Sequence, residues 1–289
     1  MTTDAARLQS PMTPRRPSAT GRRVLEFLLL SSAILAIVGA STQAAPGPDP
    51  SRAPAVAAGD SRVVLITGAN RGLGLEFSRQ FSEAGWTVFA TAREPDKADE
   101  LKRLGEGVHV LQLDVTDAAS VAALAKALEK QPIDLLINNA GVGVAIDGGP
   151  KLSELKLEDF EHVMQVNAFG PVRVTQALLP NLRLGKGRTI VCITSGLGSL
   201  TWNQQGGYYG YRESKAALDM FTRNLAAELK PEGFVCIALM PGWVKTDMGG
   251  PNAQLTPEQR ITAMRKVIDQ LKPADTGKRW NYDGTTPPW

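Results

Sequence analysis

Short apolar runs alternate with longer segments of helical apolar spacing from Arg62 to the end of the chain. The apolar runs predict buried strands at residues 63–67, 87–92, 108–113, 133–138, 188–194 and 234–240, with an edge strand at 279–282. The helical spacing predicts helices at residues 72–84, 118–129, 157–184, 209–229 and 256–271, with Pro171 and Pro180 leaving the continuity of the third open. Strands that are apolar throughout and alternate with helices indicate a parallel sheet covered on both faces. We therefore predict a single-domain α/β fold, a Rossmann-type doubly wound parallel sheet with helices on both faces.

The first 60 residues have a different pattern. Four arginines (Arg15, Arg16, Arg22 and Arg23) precede an apolar stretch at 27–40, and small residues follow it. This layout predicts a secretory signal over residues 1–44, cleaved after Ala44, and a Pro/Ala/Gly-rich linker over 45–60 before the folded domain at 61–289. A spanning helix needs about 20 apolar residues, so an uncleaved membrane anchor is the second choice.

The location of the protein follows from that segment. Arg22-Arg23 loosely resembles a twin-arginine signal, a route that exports folded, cofactor-loaded proteins, so we expect an exported or periplasmic protein, or a membrane-anchored one. A transit peptide or a mis-assigned start codon is the alternative, and either would place the protein in an organelle or in the cytoplasm.

Charge and metal-ligand content exclude two classes of protein. Residues 1–60 hold six arginines and four acidic residues, leaving 26 basic and 25 acidic side chains in the rest of the chain. That balance provides no basic stripe, so we expect no nucleic-acid partner. His109 and His162 are isolated, so no metal site is predicted. Cys192 and Cys236 lie in strand-like runs and are expected to be buried free thiols.

A glycine-rich turn follows the first predicted strand. Gly68, Gly72 and Gly74 would let the backbone turn tightly and approach a pyrophosphate, which the N-terminus of the next helix would bind. The turn also contains Asn70, Arg71 and Leu73.

The second predicted strand ends at Arg93, where NAD enzymes usually place a carboxylate. Arg71 and Arg93 could grip a 2′-phosphate, so we favour NADP(H) over NAD(H). Glu94 argues against this preference, and the alternative is that both arginines are solvated surface side chains.

Tyr211 and Lys215 are four residues apart and so lie on one face of a predicted helix. Tyr208 and Tyr209 have Arg212 and Glu213 at the corresponding positions, so of these three phenols only Tyr211 has a lysine one turn away.

Taken together, these motifs resemble the classical short-chain dehydrogenase/reductase family. The glycine turn, Asn138–Gly141, Val166-Asn167, Thr194-Ser195, Tyr211 with Lys215, and Pro241-Gly242 occur in that family's order within residues 62–289. Residues 241–250 and 283–289 look closest to the C-factor-like and sniffer-like carbonyl reductase branch.

The resemblance implies roles for individual residues. Tyr211 would be the general acid or base, with a lowered pKa, and Lys215 would lower that pKa and bind the nicotinamide ribose. Ser195 would hydrogen-bond the substrate oxygen, with Ser199 as the alternative because Ser195 lies 16 residues before Tyr211. Asn167 would hold a water that connects the lysine to solvent. Asp114 would accept from the adenine amino group and Asn139 would shape the adenine pocket, whereas Val244 and Thr246 would orient the nicotinamide carboxamide. The remaining cofactor-binding residues implied are Val115, Ala140, Gly141, Pro241 and Gly242.

The predicted function is hydride transfer by an NAD(P)-dependent oxidoreductase, with NADPH reducing an apolar aldehyde or ketone. Leu197, Leu200, Trp202, Trp243 and Met248 suggest an apolar substrate pocket. The alternative is an exported, C-factor-like signalling protein whose dinucleotide site is structural or regulatory. The sequence leaves the choice between a homodimer and a monomer open.

Overall fold

A computed structural model of the chain describes residues 61–143 and 148–289. The signal-like or anchor segment at 1–44 and the linker at 45–60 lie outside these residues. Within the described part of the chain, no helix is both long enough and apolar enough to cross a membrane.

Seven parallel strands form the sheet, in the order β3-β2-β1-β4-β5-β6-β7. The strands are β1 (Val63–Ile66), β2 (Thr87–Ala92), β3 (Val108–Gln112), β4 (Leu135–Asn138), β5 (Thr189–Ile193), β6 (Val235–Met240) and β7 (Arg279–Asn281). The order reverses between β1 and β4, which is where a ligand binds in an open parallel sheet.

The helices cover both faces of the sheet. They are α1 (Gly72–Glu83), α2 (Asp99–Lys102), α3 (Ala118–Ala127), α4 (Leu157–Met164), α5 (Gly170–Leu184), α6 (Tyr211–Leu229) and α7 (Pro257–Asp269). Buried residues of α3, α5 and α6 share one hydrophobic core, and those of α1, α2 and α7 share the other. The two cores confirm the predicted doubly wound fold.

Strand β1 shows how the sequence sorts side chains between the two cores. Val63 and Leu65 belong to the core under α3, α5 and α6, whereas Val64 and Ile66 belong to the opposite one. Successive side chains of a strand point to opposite faces, so a strand between two helical layers has no polar side.

The predicted elements differ from the structure mainly at their ends and in one interruption. Most bounds move by one or two residues, and the four-residue helix α2 was not predicted. The helical stretch at 157–184 is broken by a π-helical turn at Gln165–Phe169. Pro171 lies in the first turn of α5, where a proline is tolerated, and Pro180 lies inside that helix. The π-turn contains Asn167, and such turns are frequent at functional sites.

Candidate active site

A cleft of about 570 Å³ opens at the carboxyl ends of the central strands. Fifteen of the residues predicted to bind cofactor or act in catalysis line it: Gly68, Asn70, Arg71, Gly72, Leu73, Arg93, Asp114, Val115, Asn139, Ala140, Gly141, Tyr211, Lys215, Pro241 and Thr246. The other five, Gly74, Asn167, Ser195, Gly242 and Val244, are not part of its lining. Gly242 adopts a left-handed conformation, and the buried Val244 pairs through its backbone with Leu255.

The glycine turn has no room for side chains. A Cβ atom on Gly68 would lie 2.8 Å from Cα of Ala140, and one on Gly74 would lie 2.3 Å from the carbonyl oxygen of Gly68. Gly74 therefore acts by letting α1 pack against the turn, and it does not itself contact the cleft. No side chain caps the N-terminus of α1, and its first turn contains no acidic residue. These features fit a dinucleotide diphosphate at the helix N-terminus.

Thr67 and Asn139 fix the turn to the loop after β4. The Asn139 side-chain amide donates to the carbonyl oxygens of Thr67 and Gly68 at 2.9 and 3.0 Å. The Thr67 hydroxyl accepts from the backbone N–H groups of Asn139 and Ala140, both at 2.9 Å. Sequence reasoning missed Thr67, although its place directly before the first glycine is a usable signal.

The outer part of the cleft carries three cations. The Arg71 guanidinium donates to Asp247 at 2.9 Å, and both side chains are largely exposed. Lys97 lies in the turn after β2 and pairs with Glu94. The guanidinium of Arg93 has no ion pair or hydrogen bond within residues 61–143 and 148–289. The structure thus adds Lys97, which was not predicted, and gives Arg71 a partner on the loop after β6.

Asp114 lies at the end of β3 on the adenine side of the predicted site. Its Oδ1 atom accepts from the Thr116 N–H at 2.9 Å and from the Thr116 hydroxyl at 2.7 Å. Burial raises the pKa of Asp114, but these hydrogen bonds and the nearby Arg93 outweigh burial and lower it overall. A charged carboxylate at this place is a suitable acceptor for an amino group.

Helix α6 brings Tyr211 and Lys215 into the inner part of the cleft. The Lys215 ammonium donates to the carbonyl oxygen of Ile193 at 2.9 Å and lies 5.7 Å from the centroid of the Tyr211 ring. Burial lowers the pKa of Lys215 from 10.5 to about 8, although Asp219 acts in the opposite direction. The lysine is therefore a buried cation that changes its charge close to physiological pH.

Ser195, and not Ser199, is the serine whose side chain acts on the pKa of Tyr211. The Ser195 hydroxyl accepts from the Leu197 N–H at 3.2 Å. The Ser199 hydroxyl is buried and accepts from the Trp202 N–H at 3.3 Å. We expected a lowered pKa for Tyr211. In the structure burial raises it, and the Ser195 side chain opposes that increase only in part.

Asn167 supports the inner wall of the cleft from the π-turn. Its Oδ1 atom accepts from the Val142 N–H, and its amide donates to the Val142 carbonyl oxygen, both at 2.9 Å. The amide also donates to the Ser214 hydroxyl at 3.1 Å. These bonds join the loop after β4 to α6 beside Lys215.

Large apolar side chains are exposed on the loops near this inner part. Leu200, Trp202, Trp243 and Met248 are each at least 45% exposed. Met248 lines the cleft, and its side chain lies so close to Gly143 that a Cβ atom there would be 2.8 Å away. In the described residues no group of three His, Cys, Asp or Glu side chains could hold a metal ion.

Comparisons with known proteins agree with this geometry. The family model for short chain dehydrogenases matches residues 62–256. The C-signal protein of Myxococcus xanthus is 47% identical over 158 residues, which cover 55% of this chain and 93% of that protein. Two solved structures are also similar. The carbonyl reductase Sniffer of D. melanogaster has a TM-score of 0.74 and 32% identity, covering 79% of this chain and all of that one. An NADPH-bound carbonyl reductase from chicken fatty liver has a TM-score of 0.72 and 35% identity, covering 79% and 99%.

The chain belongs to the short-chain dehydrogenase family, and it is an NAD(P)-dependent oxidoreductase. The expected likeness to C-factor-like and sniffer-like proteins is confirmed.

Proposed function

We propose that the protein uses NADPH to reduce an apolar aldehyde or ketone to an alcohol. One observation carries the proposal: Tyr211, Lys215 and Ser195 lie together at the inner part of a cleft whose outer part holds Arg71, Arg93 and Lys97. The first group suits proton donation to a carbonyl oxygen, and the second suits a phosphorylated cofactor.

The nicotinamide of the cofactor would supply the hydride to the carbonyl carbon. Tyr211 donates its phenolic proton to the carbonyl oxygen, and the Ser195 hydroxyl donates a hydrogen bond to the same oxygen as negative charge develops. The Lys215 ammonium stabilises the phenolate that remains, since an opposite charge favours the ionised form. Burial raises the pKa of Tyr211, so the phenol holds its proton until the carbonyl oxygen accepts it. Asn167 holds the wall beside Lys215 through its bonds to Val142.

The NADPH preference rests on the cations of the outer cleft. Arg93 is exposed at the end of β2 with its guanidinium free to bind a phosphate, and Lys97 lies one short turn further along the chain. Two solved relatives are described as bound to NADPH or NADP.

We expect Arg93→Ala to lower the ratio of kcat/KM for NADPH to that for NADH by about tenfold or more, as the loss of a charge-assisted bond requires. Arg183→Ala, which removes a distant surface arginine, is the matched control. An unchanged ratio in the Arg93 variant would contradict the phosphate contact.

The apolar substrate class rests on the exposed side chains near the inner cleft. Trp202, Trp243 and Met248 offer hydrophobic surface and no charge to a bound molecule. Small charged keto acids should therefore turn over much more slowly than apolar carbonyl compounds of similar size.

The decisive experiment follows oxidation of NADPH and NADH by the purified chain with a panel of apolar aldehydes and ketones. Tyr211→Phe should lose at least two orders of magnitude in kcat, since general acid catalysis contributes about 10²–10⁴-fold. Tyr209→Phe is the matched control and should keep wild-type activity. Both variants should bind NADPH with similar affinity by fluorescence titration. Equal turnover by Tyr211→Phe and the wild type would exclude the mechanism.

A second function is favoured by the similarity to C-signal. That relative aligns over 55% of this chain at 47% identity, and its name denotes a signal. The chain would then act as a signalling protein whose dinucleotide site is structural or regulatory. NADPH binding without turnover of any carbonyl compound, together with signalling by Tyr211→Phe at the wild-type level, would favour this reading.

We also propose that residues 1–44 direct export of the protein. The support is the order of basic, apolar and small residues. Cell fractionation with N-terminal sequencing tests it, because export with cleavage should yield a chain that begins at Ala45. Replacing Arg22 and Arg23 together by lysine should block export only if the twin-arginine route is used.

A further inference from the structure

Arg279 is a fully buried arginine on the edge strand β7. Its Nε atom lies 3.6 Å from Oδ2 of Asp219, and the two side chains are 0% and 9% exposed. Every other ion pair in residues 61–143 and 148–289 has a more exposed partner. A buried arginine paired with a buried carboxylate, beside the active site, calls for an explanation.

The Arg279 guanidinium contacts three further parts of the molecule. It donates to the carbonyl oxygen of Ser195 at 2.8 Å and to that of Pro288 at 3.2 Å. Its Cζ atom lies 5.2 Å from the centroid of the Trp202 ring. One side chain thus links Ser195, whose side chain acts on the pKa of Tyr211, the apolar loop near the inner cleft and residues 288–289.

Asp219 connects the same pair to the catalytic lysine. It lies on α6 one turn after Lys215, and its carboxylate opposes the effect of burial on the lysine pKa. Tyr211 on α6 and the Cys192 thiol on β5 also face Lys215. Burial raises the pKa of Asp219, whereas Thr194, Arg279 and Lys215 oppose that increase.

We propose that Arg279 and Asp219 form a positioning pair, in which Arg279 holds Ser195 against Tyr211 and Asp219 keeps Lys215 in its cationic form. The inference rests on the proposed function, because it assigns these residues to the same reaction. Neither residue would contact the substrate or the cofactor, and each would act through a neighbour.

Stability alone does not account for the pair. Taking two charges out of water offsets most of their attraction, so a buried ion pair is often no more stabilising than apolar residues of the same volume. The contacts of Arg279 are directional, because its two terminal nitrogens each donate to a backbone carbonyl oxygen while Nε lies 3.6 Å from Asp219. The single nitrogen of an ammonium group does not reproduce that planar fork, and an apolar side chain makes none of these contacts. The geometry is therefore matched to holding the Ser195 peptide in one place.

The first experiment measures the Lys215 pKa directly in Asp219→Asn. The wild type and the variant are labelled with ¹³C at the lysine ε-carbons, and the Lys215 signal is identified by its loss in Lys215→Met. Titration by NMR should show the Lys215 pKa about one pH unit lower in the variant, as expected for removal of a close carboxylate. At pH 8 the protonated fraction, and with it kcat, should then fall about fivefold, with a smaller loss at pH 6.5. An unchanged Lys215 pKa in the folded variant would overturn this half of the proposal.

The second experiment separates the position of Ser195 from charge. Arg279→Lys keeps a cation for Asp219 but cannot make all the hydrogen bonds, so kcat should fall at least tenfold while the dissociation constant for NADPH changes less than twofold. Since removing one buried charge can unfold the protein, the double variant Asp219→Leu, Arg279→Met tests a folded, uncharged pair. It should keep a cooperative thermal transition, lose at least tenfold in kcat, and show the same lowered Lys215 pKa as Asp219→Asn.

The exposed pair of Arg183 and Glu232 is the matched control, joined by two hydrogen bonds of 2.7 Å. Arg183→Met with Glu232→Leu should leave both kcat and the Lys215 pKa unchanged. If the wild type reduces no carbonyl compound, the proposed function fails, and the NMR titration of the Asp219 variants still decides whether the pair controls Lys215. Wild-type kcat in Arg279→Lys and in the folded double variant would overturn the positioning role.

Discussion

Replacing Lys215 by methionine should make the protein more stable at neutral pH while removing its activity. The reason is the burial of the ammonium group. Burial lowers the Lys215 pKa from 10.5 to about 8. The folded state therefore binds the Lys215 proton less tightly than the unfolded chain does, and at pH 7 it must still accommodate the buried charge. Methionine has a similar length and volume but no charge to bury.

The structure gives the sign and the size of the effect. Between pH 8 and 10.5 the unfolded chain holds the Lys215 proton and the folded chain releases it, so this group makes stability rise with pH over that interval. Below pH 8 the full penalty is present, and the difference between the two pKa values corresponds to about 3 kcal/mol. The variant loses the bond to Ile193, which offsets about 1 kcal/mol. A net gain of about 2 kcal/mol at pH 7 remains, or roughly 4–8 °C in Tm for a domain of this size.

Urea unfolding followed by circular dichroism at pH 7 and at pH 10.5 tests the argument. Lys215→Met should be the more stable protein at pH 7. The advantage should vanish or reverse at pH 10.5, where the folded wild-type lysine is neutral and about half of the unfolded lysines are. Lys266→Met, a change on the exposed side of α7, should alter the free energy of unfolding by less than about 0.5 kcal/mol at either pH. A Lys215→Met protein that is less stable than the wild type by the same amount at both pH values would refute the reasoning.

Three further predictions concern the scaffold of the site. Gly74→Ala should lower the free energy of unfolding by about 3 kcal/mol in urea denaturation and abolish NADPH binding, because the added methyl group would overlap the carbonyl oxygen of Gly68. The control Gly107→Ala makes only ordinary contacts and should cost less than about 1 kcal/mol in the same assay. Asp134→Ala should destabilise the fold by about 3 kcal/mol in thermal unfolding. The buried carboxylate accepts from three backbone N–H groups, which would lose their partner in the variant. Destabilisation below about 1 kcal/mol would contradict that account. Burial raises the pKa of the Cys192 thiol to about 11. Cys192 should therefore resist alkylation by iodoacetamide at pH 8 until the chain unfolds, as measured by mass spectrometry. Rapid labelling of the native protein would disprove its burial.

Much of the fold could be predicted from the sequence because both determining patterns are local. Runs such as Val63–Ile66 are apolar at every position, which in a parallel sheet is possible only between two helical layers. The Tyr211–Lys215 spacing places both side chains on one helix face whatever the rest of the chain does.

The parts that were missed depend on contacts between distant segments. The π-turn around Asn167 follows from bonds to Val142, which lies 25 residues away. The raised pKa of Tyr211 follows from the depth of its burial, which the helical pattern does not specify. Lys97 enters the cleft because a short turn after β2 carries it there, and a single charged residue in a loop gives no such signal.

The position of Arg279 on the last strand to be synthesised has a consequence for folding. The family model matches only residues 62–256, and the glycine turn, Tyr211 and Lys215 are all synthesised before the edge strand. A nascent chain could therefore complete the first six strands and still lack the side chain that holds the Ser195 carbonyl oxygen. The reactive arrangement would form only after β7 had docked against β6. Docking of β7 would thus be the folding step that makes the sheet catalytically competent.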